Sequence, residues 1–553
     1  MHARLLLITC LNGSDMSLPV LIAVQSFLYQ PQTGQLWDPS CFAIPNGTFY
    51  CVAMYSEHGD SVYSSGWLAT SNDGVHWRDV GPIAPSEPGT QWWKGFVLQL
   101  GPGPSFVMNH GVFEHDRYND ALRILTSSDL IHWHVKGTSR PDSRWYNSHG
   151  RWDHMYMSAD PAGGFVGFPV SSPLASQTFA NTWPGVQRSP DGIQWTAHAP
   201  LNVTWGGVTA QSIEEGGFEL LEGGAAGQRS YYLIGGGAGA HSGRTYSMWV
   251  FRSDNIDGPY RPATRRFRLS GGSTQPGFEF GALAVWCRGR NGERLISQYM
   301  TAAGRGRADV WMLPLRKPLI DASGDLRLAY WRANDALLGP PLPSFSQHAP
   351  LLQQQSPRRI ATTCSPGSSQ AVTWLAEPDI AAHRSPGLYL NATIHVSGEG
   401  AVGLALGDFT AAPTLVGAQG SPGYTAMLLD IGNDGDVHTA SRVLHVRASG
   451  SVTTLDVSGF FSCGDGNLTC GVATPTAIAP GLPHHFLLFF ANGMWEWYVD
   501  GLLVQSFVYG GVYPLPRAGA GRVGIACAGE AQAIAVTPIV GKLDRTERVA
   551  GGA

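Results

Sequence analysis

Helical periodicity, charge and long apolar runs are all scarce in this chain of 553 residues. No apolar pattern with a 3.6-residue period continues over three capped turns, which argues against a helical fold. Only 14% of the residues are charged, and the net charge of −5 with dispersed Lys and Arg argues against nucleic-acid binding. No apolar run reaches the ~18 residues of a spanning helix, so we expect no membrane partner.

Motifs for metal and nucleotide chemistry are also missing. No Cys and His residues have zinc-site spacing, and no Gly-rich loop has the pattern that binds phosphate. The Gly-x-Ser-x-Gly turn of serine hydrolases does not occur. The sequence therefore predicts no metal and no cofactor.

Cysteine is too sparse, at eight residues, for a disulfide scaffold. Cys41 and Cys51 flank an Asn-Gly turn and would face each other across a hairpin, and Cys463 and Cys470 bracket a short loop. Each pair is interpreted either as a disulfide or as buried free thiols.

The compartment is indicated only by weak signals. Residues 1–29 are interpreted either as a poor or truncated signal peptide or as a first buried strand. Five sequons permit glycosylation, and with the paired cysteines they favour a secretory route; they lie at Asn12, Asn46, Asn202, Asn391 and Asn467.

Turn formers and aromatic residues, in contrast, are abundant. The chain has 70 Gly and 37 Pro, with 18 Trp, 18 Tyr and 22 Phe. This mixture is typical of many short strands that are joined by tight turns. The sequence predicts an all-β protein, and its length predicts two or three domains.

Four similar segments organise the first part of the chain: "SNDGVHW" (71–77), "SSDLIHW" (127–133), "SPDGIQW" (189–195) and "RSDNIDGPY" (252–260). Their Asp residues are 56, 62 and 63 positions apart. A period of about 60 residues, with strand-like runs before each turn, predicts a radial array of small sheets. Five such units make residues 30–320 a five-bladed β-propeller.

The pattern changes after the propeller. Residues 321–370 are interpreted as a connecting strand and a polar linker. Residues 371–545 contain alternating strands and hairpin turns such as those in "ANGMWEWYVDGLLVQSF", and they are predicted to form a C-terminal β-sandwich.

Carboxylates near the start of the repeating units are the candidate catalytic groups. Asp38 opens the first unit in "QLWDPS", Asp153 opens the third in "GRWDHM", and Glu214 opens the fourth in "QSIEEGGFELLEGG". Acids at one depth in different blades converge on one cavity. Two such acids permit glycoside cleavage, in which one attacks the anomeric carbon and the other protonates the leaving oxygen.

These segments resemble glycoside hydrolase family 32, and more broadly the propeller superfamily that joins it with families 43, 62 and 68. The resemblance rests on the blade hairpins, on "SGDLRLAYWRANDALLG" and on "HHFLLFFANGMWEWYVDGLLVQS". It implies a divergent fructosidase in which Asp38 is the nucleophile and Asp153 stabilises the transition state. Trp37 replaces the Asn of the family's first motif, and Glu215 replaces the Cys of its Glu-Cys pair.

The acid/base is one of two adjacent glutamates. Strand alternation sends Glu214 and Glu215 to opposite faces, so at most one points inward. Divergent members of the superfamily have Glu-x-Gly-Gly here with the first Glu catalytic, and that match implies Glu214. Further candidates for contacts with a sugar are Trp37, Trp152, Asn109, His110, Glu215 and Glu279.

The sequence thus predicts a retaining glycosidase that acts on β-fructofuranosides, with a disaccharide or oligosaccharide as its substrate. A glycosidase for another furanose such as arabinose, transfer to a sugar instead of water, and a carbohydrate-binding propeller without catalysis stay open. A propeller scaffold for protein partners is a further alternative, and the oligomeric state is not predicted.

Overall fold

The computed structural model describes residues 28–59, 62–114, 121–174, 182–205, 213–224, 227–238, 246–264, 267–271, 283–304, 307–341, 359–364, 371–376, 388–407, 423–431, 441–447, 452–458, 462–463, 468–469, 478–491, 494–508 and 522–543. These residues form 37 strands and two short 3₁₀ turns. The 3₁₀ turns are Arg290–Gly292 and Arg332–Leu337.

The first twenty strands form five successive antiparallel groups. The first group is β1 (Gln35–Ala43), β2 (Phe49–Ser56), β3 (Ser65–Ser71) and β4 (Arg78–Ile83). The second is β5 (Thr90–Gln99), β6 (Phe106–Glu114), β7 (Leu122–Ser127) and β8 (His134–Ser139). The third is β9 (Trp152–Ala159), β10 (Phe165–Ser171), β11 (Trp183–Pro184), β12 (Val186–Ser189) and β13 (Thr196–His198). The fourth is β14 (Glu214–Gly223), β15 (Gln228–Ala238), β16 (Tyr246–Ser253) and β17 (Arg268–Gly271), and the fifth is β18 (Leu283–Arg288), β19 (Arg294–Gly304) and β20 (Arg307–Met312).

The repeated Ser-x-Asp turns share one hydrogen-bond pattern. In the first, the Asp73 carboxylate accepts the backbone N–H groups of Val75 and His76, both at 2.8 Å. Asp129 and Asp191 accept the equivalent pairs of N–H groups in the next two turns. The turn is thus built by contacts within a few residues, which is why its sequence pattern is readable.

The inner strands of the five groups close into a ring. β1 contacts β5, β5 contacts β9, β9 contacts β14 and β14 contacts β18. β18 then pairs in parallel with β1 through Phe42 and Arg288. At the outer side of the fifth group, Tyr29 bridges Met312 of β20. The result is a propeller whose inner strands surround one central channel.

The remaining strands connect the propeller to a sandwich and build it. The connection comprises β21 (Arg316–Ile320), β22 (Leu326–Tyr330) and β23 (Leu338–Pro341). One sheet contains β24 (Arg359–Thr363), β26 (Leu388–Ser397), β33 (Pro483–Ala491), β34 (Met494–Val499), β35 (Leu502–Val508) and β37 (Gln532–Leu543). The other contains β25 (Ala371–Ala376), β27 (Gly400–Gly407), β28 (Gly423–Asp430), β29 (Ser441–Arg447), β30 (Val452–Ser458) and β36 (Arg522–Gly529), and β31 (Ser462–Cys463) pairs with β32 (Leu468–Thr469).

An apolar core fills the space between the two sheets of the sandwich. Leu390 and Trp497 of one sheet pack with Leu404 and Met427 of the other, and all four side chains are buried. Burial of side chains from two facing sheets is the main stabilising contribution in this architecture. The predicted all-β fold, a propeller followed by a β-sandwich, is confirmed.

The structure decides between the two interpretations for one of the two cysteine pairs. Cys41 and Cys51 lie opposite each other in the β1–β2 ladder, as expected, and both are buried free thiols near Met312. A disulfide joins Cys364 to Cys527 in the sandwich, a pairing that the sequence did not predict. Cys470, which the sequence analysis pairs with Cys463, lies outside the described residues. In the described part of the chain, no helix is long and apolar enough to cross a membrane.

Candidate active site

Four inner strands have a β-bulge near their first residues. The ladder shifts beside Asp38 in β1, at Lys94 in β5, at His154 in β9 and after Glu214 in β14. A bulge adds one residue to a strand and redirects its side chains, and bulges are frequent beside active sites. We refer to this end of the propeller channel as the acid end, and to the opposite end, where β1, β5, β9 and β18 finish, as the far end.

Asp38 is held in an unusual backbone conformation. Its φ of 51° lies in the left-handed region, which Asp tolerates better than most residues do. The carboxylate is 4% exposed and accepts a hydrogen bond from the hydroxyl of Tyr299. Trp37 is half-buried beside it and packs edge to face on Tyr299, with ring centroids 6.2 Å apart.

Asp153 is an ionised and almost fully buried carboxylate. Arg151 Nε lies 2.6 Å from Asp153 Oδ2, and His154 Nδ1 lies 3.1 Å from Oδ1. Burial acts to raise the pKa of Asp153, but Arg151 and His154 outweigh it and hold this pKa at about 2. Burial and the nearby Lys94 ammonium lower the pKa of His154.

Glu214 shares Arg151 with Asp153. Arg151 Nη1 lies 2.7 Å from Glu214 Oε1, and about a quarter of the Glu214 side chain, 24%, is exposed. Burial raises the pKa of Glu214, and the negative charges of Asp153 and Asp38 act in the same direction against the opposing effect of Arg151. The site thus combines an ionised Asp153 with a Glu214 that holds its proton more strongly than an ordinary glutamate does.

Lys94 is the site residue that the sequence interpretation missed. Its side chain is 2% exposed, and burial lowers its pKa to about 8 although Asp38, Asp153 and Glu214 act to raise it. Electrostatic interaction with all three acids places the ammonium among them. The signal in the sequence is a lysine inside the aromatic run "QWWKGF", near the start of the second repeating unit.

Three of the proposed sugar contacts, Trp152, His110 and Asn109, are buried in the propeller core. Trp152 is fully buried and packs edge to face on Tyr146, so the prediction that it forms a wall for a sugar is corrected. Successive residues of a strand face opposite sides, and the inward position of Asp153 therefore turns Trp152 into the core. His110 stacks on Trp92 with ring centroids 4.9 Å apart, and burial lowers its pKa to about 4.

Asn109 links two groups of strands instead of facing the channel. Its side-chain amide donates to the carbonyl of Met155, and its oxygen accepts the N–H of Met155, both at 2.8 Å. The residue is 0% exposed. It therefore fixes β9, and with it Asp153, against β6. The side chain of Glu215 and the whole of Glu279 lie outside what the structure describes.

Replacing Asn109 by Ala is expected to lower the free energy of unfolding by about 1–3 kcal/mol, because a buried backbone N–H and C=O would lose their partners. Urea denaturation measures this change. Asn72→Ala, at an exposed position, is the control and should change stability by less than about 0.5 kcal/mol. Equal stabilities of the two variants would contradict the linking role of Asn109.

The chemistry available at the acid end is acid–base and nucleophilic chemistry by carboxylates. A buried carboxylate at Asp38 and a carboxyl group with a raised pKa at Glu214 are the kinds of group that glycoside cleavage uses. Among the described residues, no group of three or more His, Cys, Asp or Glu side chains is arranged to hold a metal ion.

Solved structures share this fold over most of the chain. Sucrose-6-phosphate hydrolase from Lactobacillus gasseri superimposes with a TM-score of 0.60 at 11% identity, covering 94% of this chain and 93% of that one. Fructan 1-exohydrolase IIa from Cichorium intybus, in complex with 1-kestose, gives 0.61 at 11% identity, with 94% and 98% covered. A glycoside hydrolase family 32 protein from Bifidobacterium adolescentis gives 0.58 at 12% identity, with 94% and 81% covered.

The fold is therefore the one that these glycosidases have, and the resemblance to glycoside hydrolase family 32 is confirmed at the level of fold. No protein-family model matches the chain, and no curated protein matches it in sequence. The similarity thus lies in the arrangement of strands, while the individual motifs differ.

Proposed function

We propose that the protein is a retaining glycoside hydrolase that cleaves β-fructofuranosides of the sucrose or fructan type. The observation that carries the proposal is the convergence of Asp38, Asp153 and Glu214 at the acid end. Arg151 bridges Asp153 and Glu214, and Lys94 interacts electrostatically with all three acids. Proteins with the same fold include a sucrose-6-phosphate hydrolase and a fructan 1-exohydrolase, which supports this class of substrate.

In the proposed reaction, Asp38 is the nucleophile and Glu214 is the acid/base. A carboxylate oxygen of Asp38 attacks the anomeric carbon while the Glu214 proton moves to the leaving oxygen, so that the glycosidic bond breaks and a glycosyl ester forms. Glu214, now ionised, then takes a proton from water. The resulting hydroxide attacks the same carbon and releases the sugar and the Asp38 carboxylate.

Asp153, Arg151 and Lys94 have supporting roles in this proposal. Asp153, with its low pKa, stays ionised and stabilises positive charge that develops on the sugar ring. Arg151 keeps Asp153 and Glu214 in place through an ion pair with Asp153 at 2.6 Å and a contact of 2.7 Å with the Glu214 carboxyl group. Lys94 offsets the repulsion between the carboxylates, which lets two ionised acids occupy one buried site.

Sugar release from sucrose, inulin, levan and arabinan by the purified protein tests the proposal. We expect free fructose from at least one of the first three substrates, detected by chromatography. Release of arabinose alone would assign the site to another furanose. Release of no sugar from any substrate would contradict the proposed activity.

A non-catalytic carbohydrate-binding propeller is the second candidate, and one observation favours it. Glu214 is paired with Arg151 at 2.7 Å, and an opposite charge at that distance favours the ionised form that cannot donate a proton. Calorimetry with the same four saccharides distinguishes the candidates, because this alternative predicts binding without any sugar release.

The rate of hydrolysis should fall as pH rises through the pKa of Glu214, because only the protonated carboxyl donates a proton. Burial has raised this pKa, while Arg151 lowers it. Arg151→Gln should therefore move the alkaline limb of the kcat/KM profile to higher pH. Arg144→Gln, which changes an exposed arginine paired with Asp142, is the control. An alkaline limb that stays in place or moves to lower pH in Arg151→Gln would contradict this role.

A further inference from the structure

A second cavity, of about 340 Å³, lies at the far end of the propeller channel. It is lined by the last residues of the inner strands, among them Phe42, Phe96, Leu98, Tyr156, Trp286 and Arg288. Mostly apolar walls with a few fixed polar groups, in a volume of roughly 300–1,000 Å³, are typical of small-molecule sites.

This cavity is separate from the acid end. Phe42 follows Asp38 by four residues in β1, which at ~3.3 Å per residue places the two positions on the order of 13 Å apart. A layer of aromatic rings lies between the two ends. Phe96 packs on Tyr156 with centroids 4.7 Å apart, and Tyr156 packs on Phe218 at 5.8 Å. A ligand at the far end therefore does not contact the three acids.

The polar side of the cavity carries surplus positive charge. Glu219, which is 3% exposed, accepts Arg288 Nε at 2.7 Å and the Tyr156 hydroxyl at 2.8 Å on one oxygen. Its other oxygen accepts Arg294 Nε at 2.7 Å. Two guanidinium groups thus share a single carboxylate, which leaves a net charge of about +1 for the cluster.

Arg288 is both fixed and accessible. Its Nη2 also donates to Ser158 Oγ at 2.6 Å, so the guanidinium is held at two points. About one third of the side chain, 34%, is exposed, and it lines the cavity. Glu293, on the turn after β18, lies 3.7 Å from Lys317, which offsets its charge. A guanidinium that is already positioned loses little entropy when it binds an anion.

We propose that the far-end cavity is a second binding site, which takes a small molecule with a flat apolar body and one carboxylate or phosphate group. The flat body packs against Phe42 and Phe96, which are both partly exposed, and the anionic group pairs with Arg288. This assignment is independent of the reaction at the acid end, because it rests on different residues.

Binding of benzoate and phenyl phosphate tests the proposal, with benzyl alcohol as the uncharged comparison. Titration calorimetry on the wild-type chain should show binding of at least one anion and at least tenfold weaker binding of benzyl alcohol. Arg288→Gln should weaken anion binding by about tenfold or more, as expected for loss of a charged hydrogen bond. Phe42→Ala, which leaves the Glu219 cluster unchanged, should also weaken it.

The control is Asp38→Asn, which should bind the anions as the wild type does. The thermal unfolding midpoint of each variant shows whether it is folded. Failure of the wild type to bind either anion would overturn the proposal. Arg288→Gln and Phe42→Ala variants that bind the anions as tightly as the wild type does would also overturn it. A change of anion affinity in Asp38→Asn alone would place the anion at the acid end and would overturn it as well. None of these readouts requires glycosidase activity.

Discussion

Asp38→Asn is expected to lower kcat/KM for the hydrolysed saccharide by about 10⁴-fold or more, the range found when a covalent nucleophile is removed. An amide oxygen is too weak a nucleophile to form the glycosyl ester. The substitution nearly preserves side-chain volume, and the Tyr299 hydroxyl keeps an oxygen to which it can donate. The loss should therefore appear in the rate and not in the fold.

Initial rates at several substrate concentrations measure this effect, with thermal unfolding as the check on folding. Asp257→Asn is the matched control, because that carboxylate is 54% exposed and pairs with Arg188 at the surface. The control should keep its activity within about twofold, since exposed ion pairs contribute little. An Asp38→Asn variant that retains more than about a tenth of wild-type activity would exclude Asp38 as the nucleophile.

Glu496→Ala is expected to give the largest loss of stability, about 3–5 kcal/mol. Glu496 and Arg316 are both 0% exposed and form an ion pair between the sandwich strand β34 and the connecting strand β21. The hydroxyl of Tyr498 also donates to this carboxylate. Removal of Glu496 would leave the Arg316 charge buried without its counter-ion, and a buried charge of this kind is costly.

Urea denaturation followed by tryptophan fluorescence measures this loss, since Trp495 and Trp497 flank Glu496 in sequence and are buried. The double variant Arg316→Met with Glu496→Leu should recover most of the stability, because it removes both charges together. Glu293→Ala, at a partly exposed and longer pair with Lys317, should cost no more than about 1 kcal/mol. If Glu496→Ala lowered the free energy of unfolding by as little as Glu293→Ala does, this would contradict the stabilising role of the buried Arg316–Glu496 pair.

The elements that could be predicted from the sequence are those built by local contacts. The Ser-x-Asp turns repeat because Asp73 and its counterparts bond to backbone groups two and three residues ahead, so the signal lies within a short window. The positions of Asp38 and Asp153 at one end of the channel followed from the period of these turns. The expected difference in face between Glu214 and Glu215 stays a prediction, because the Glu215 side chain lies outside the described residues.

The features that the sequence did not reveal depend on contacts between distant segments. Lys94 becomes a site residue only because the bulge in β5 and the ring of inner strands bring it among acids from three other strands. The side chain of Asn109 forms hydrogen bonds with the backbone of Met155, which is 46 residues further along the chain. Trp152 was misassigned because its place beside Asp153 in sequence suggested a shared cavity, whereas neighbours in a strand face opposite ways. The Cys364–Cys527 bond joins positions 163 residues apart, which no local pattern indicates.

Identification of the covalent intermediate tests the central claim most directly. Wild-type protein and Glu214→Gln are mixed with β-fructosyl fluoride, whose fluoride leaves without a proton from Glu214, then quenched in acid and digested, and the peptides are weighed by mass spectrometry. We predict a peptide from the β1 strand, carrying Asp38, with one added hexose unit, more abundant in Glu214→Gln because water is then activated slowly. Release of fructose without any such adduct in either protein, or an adduct on the peptide that contains Asp153, would contradict the assignment of Asp38 and Glu214.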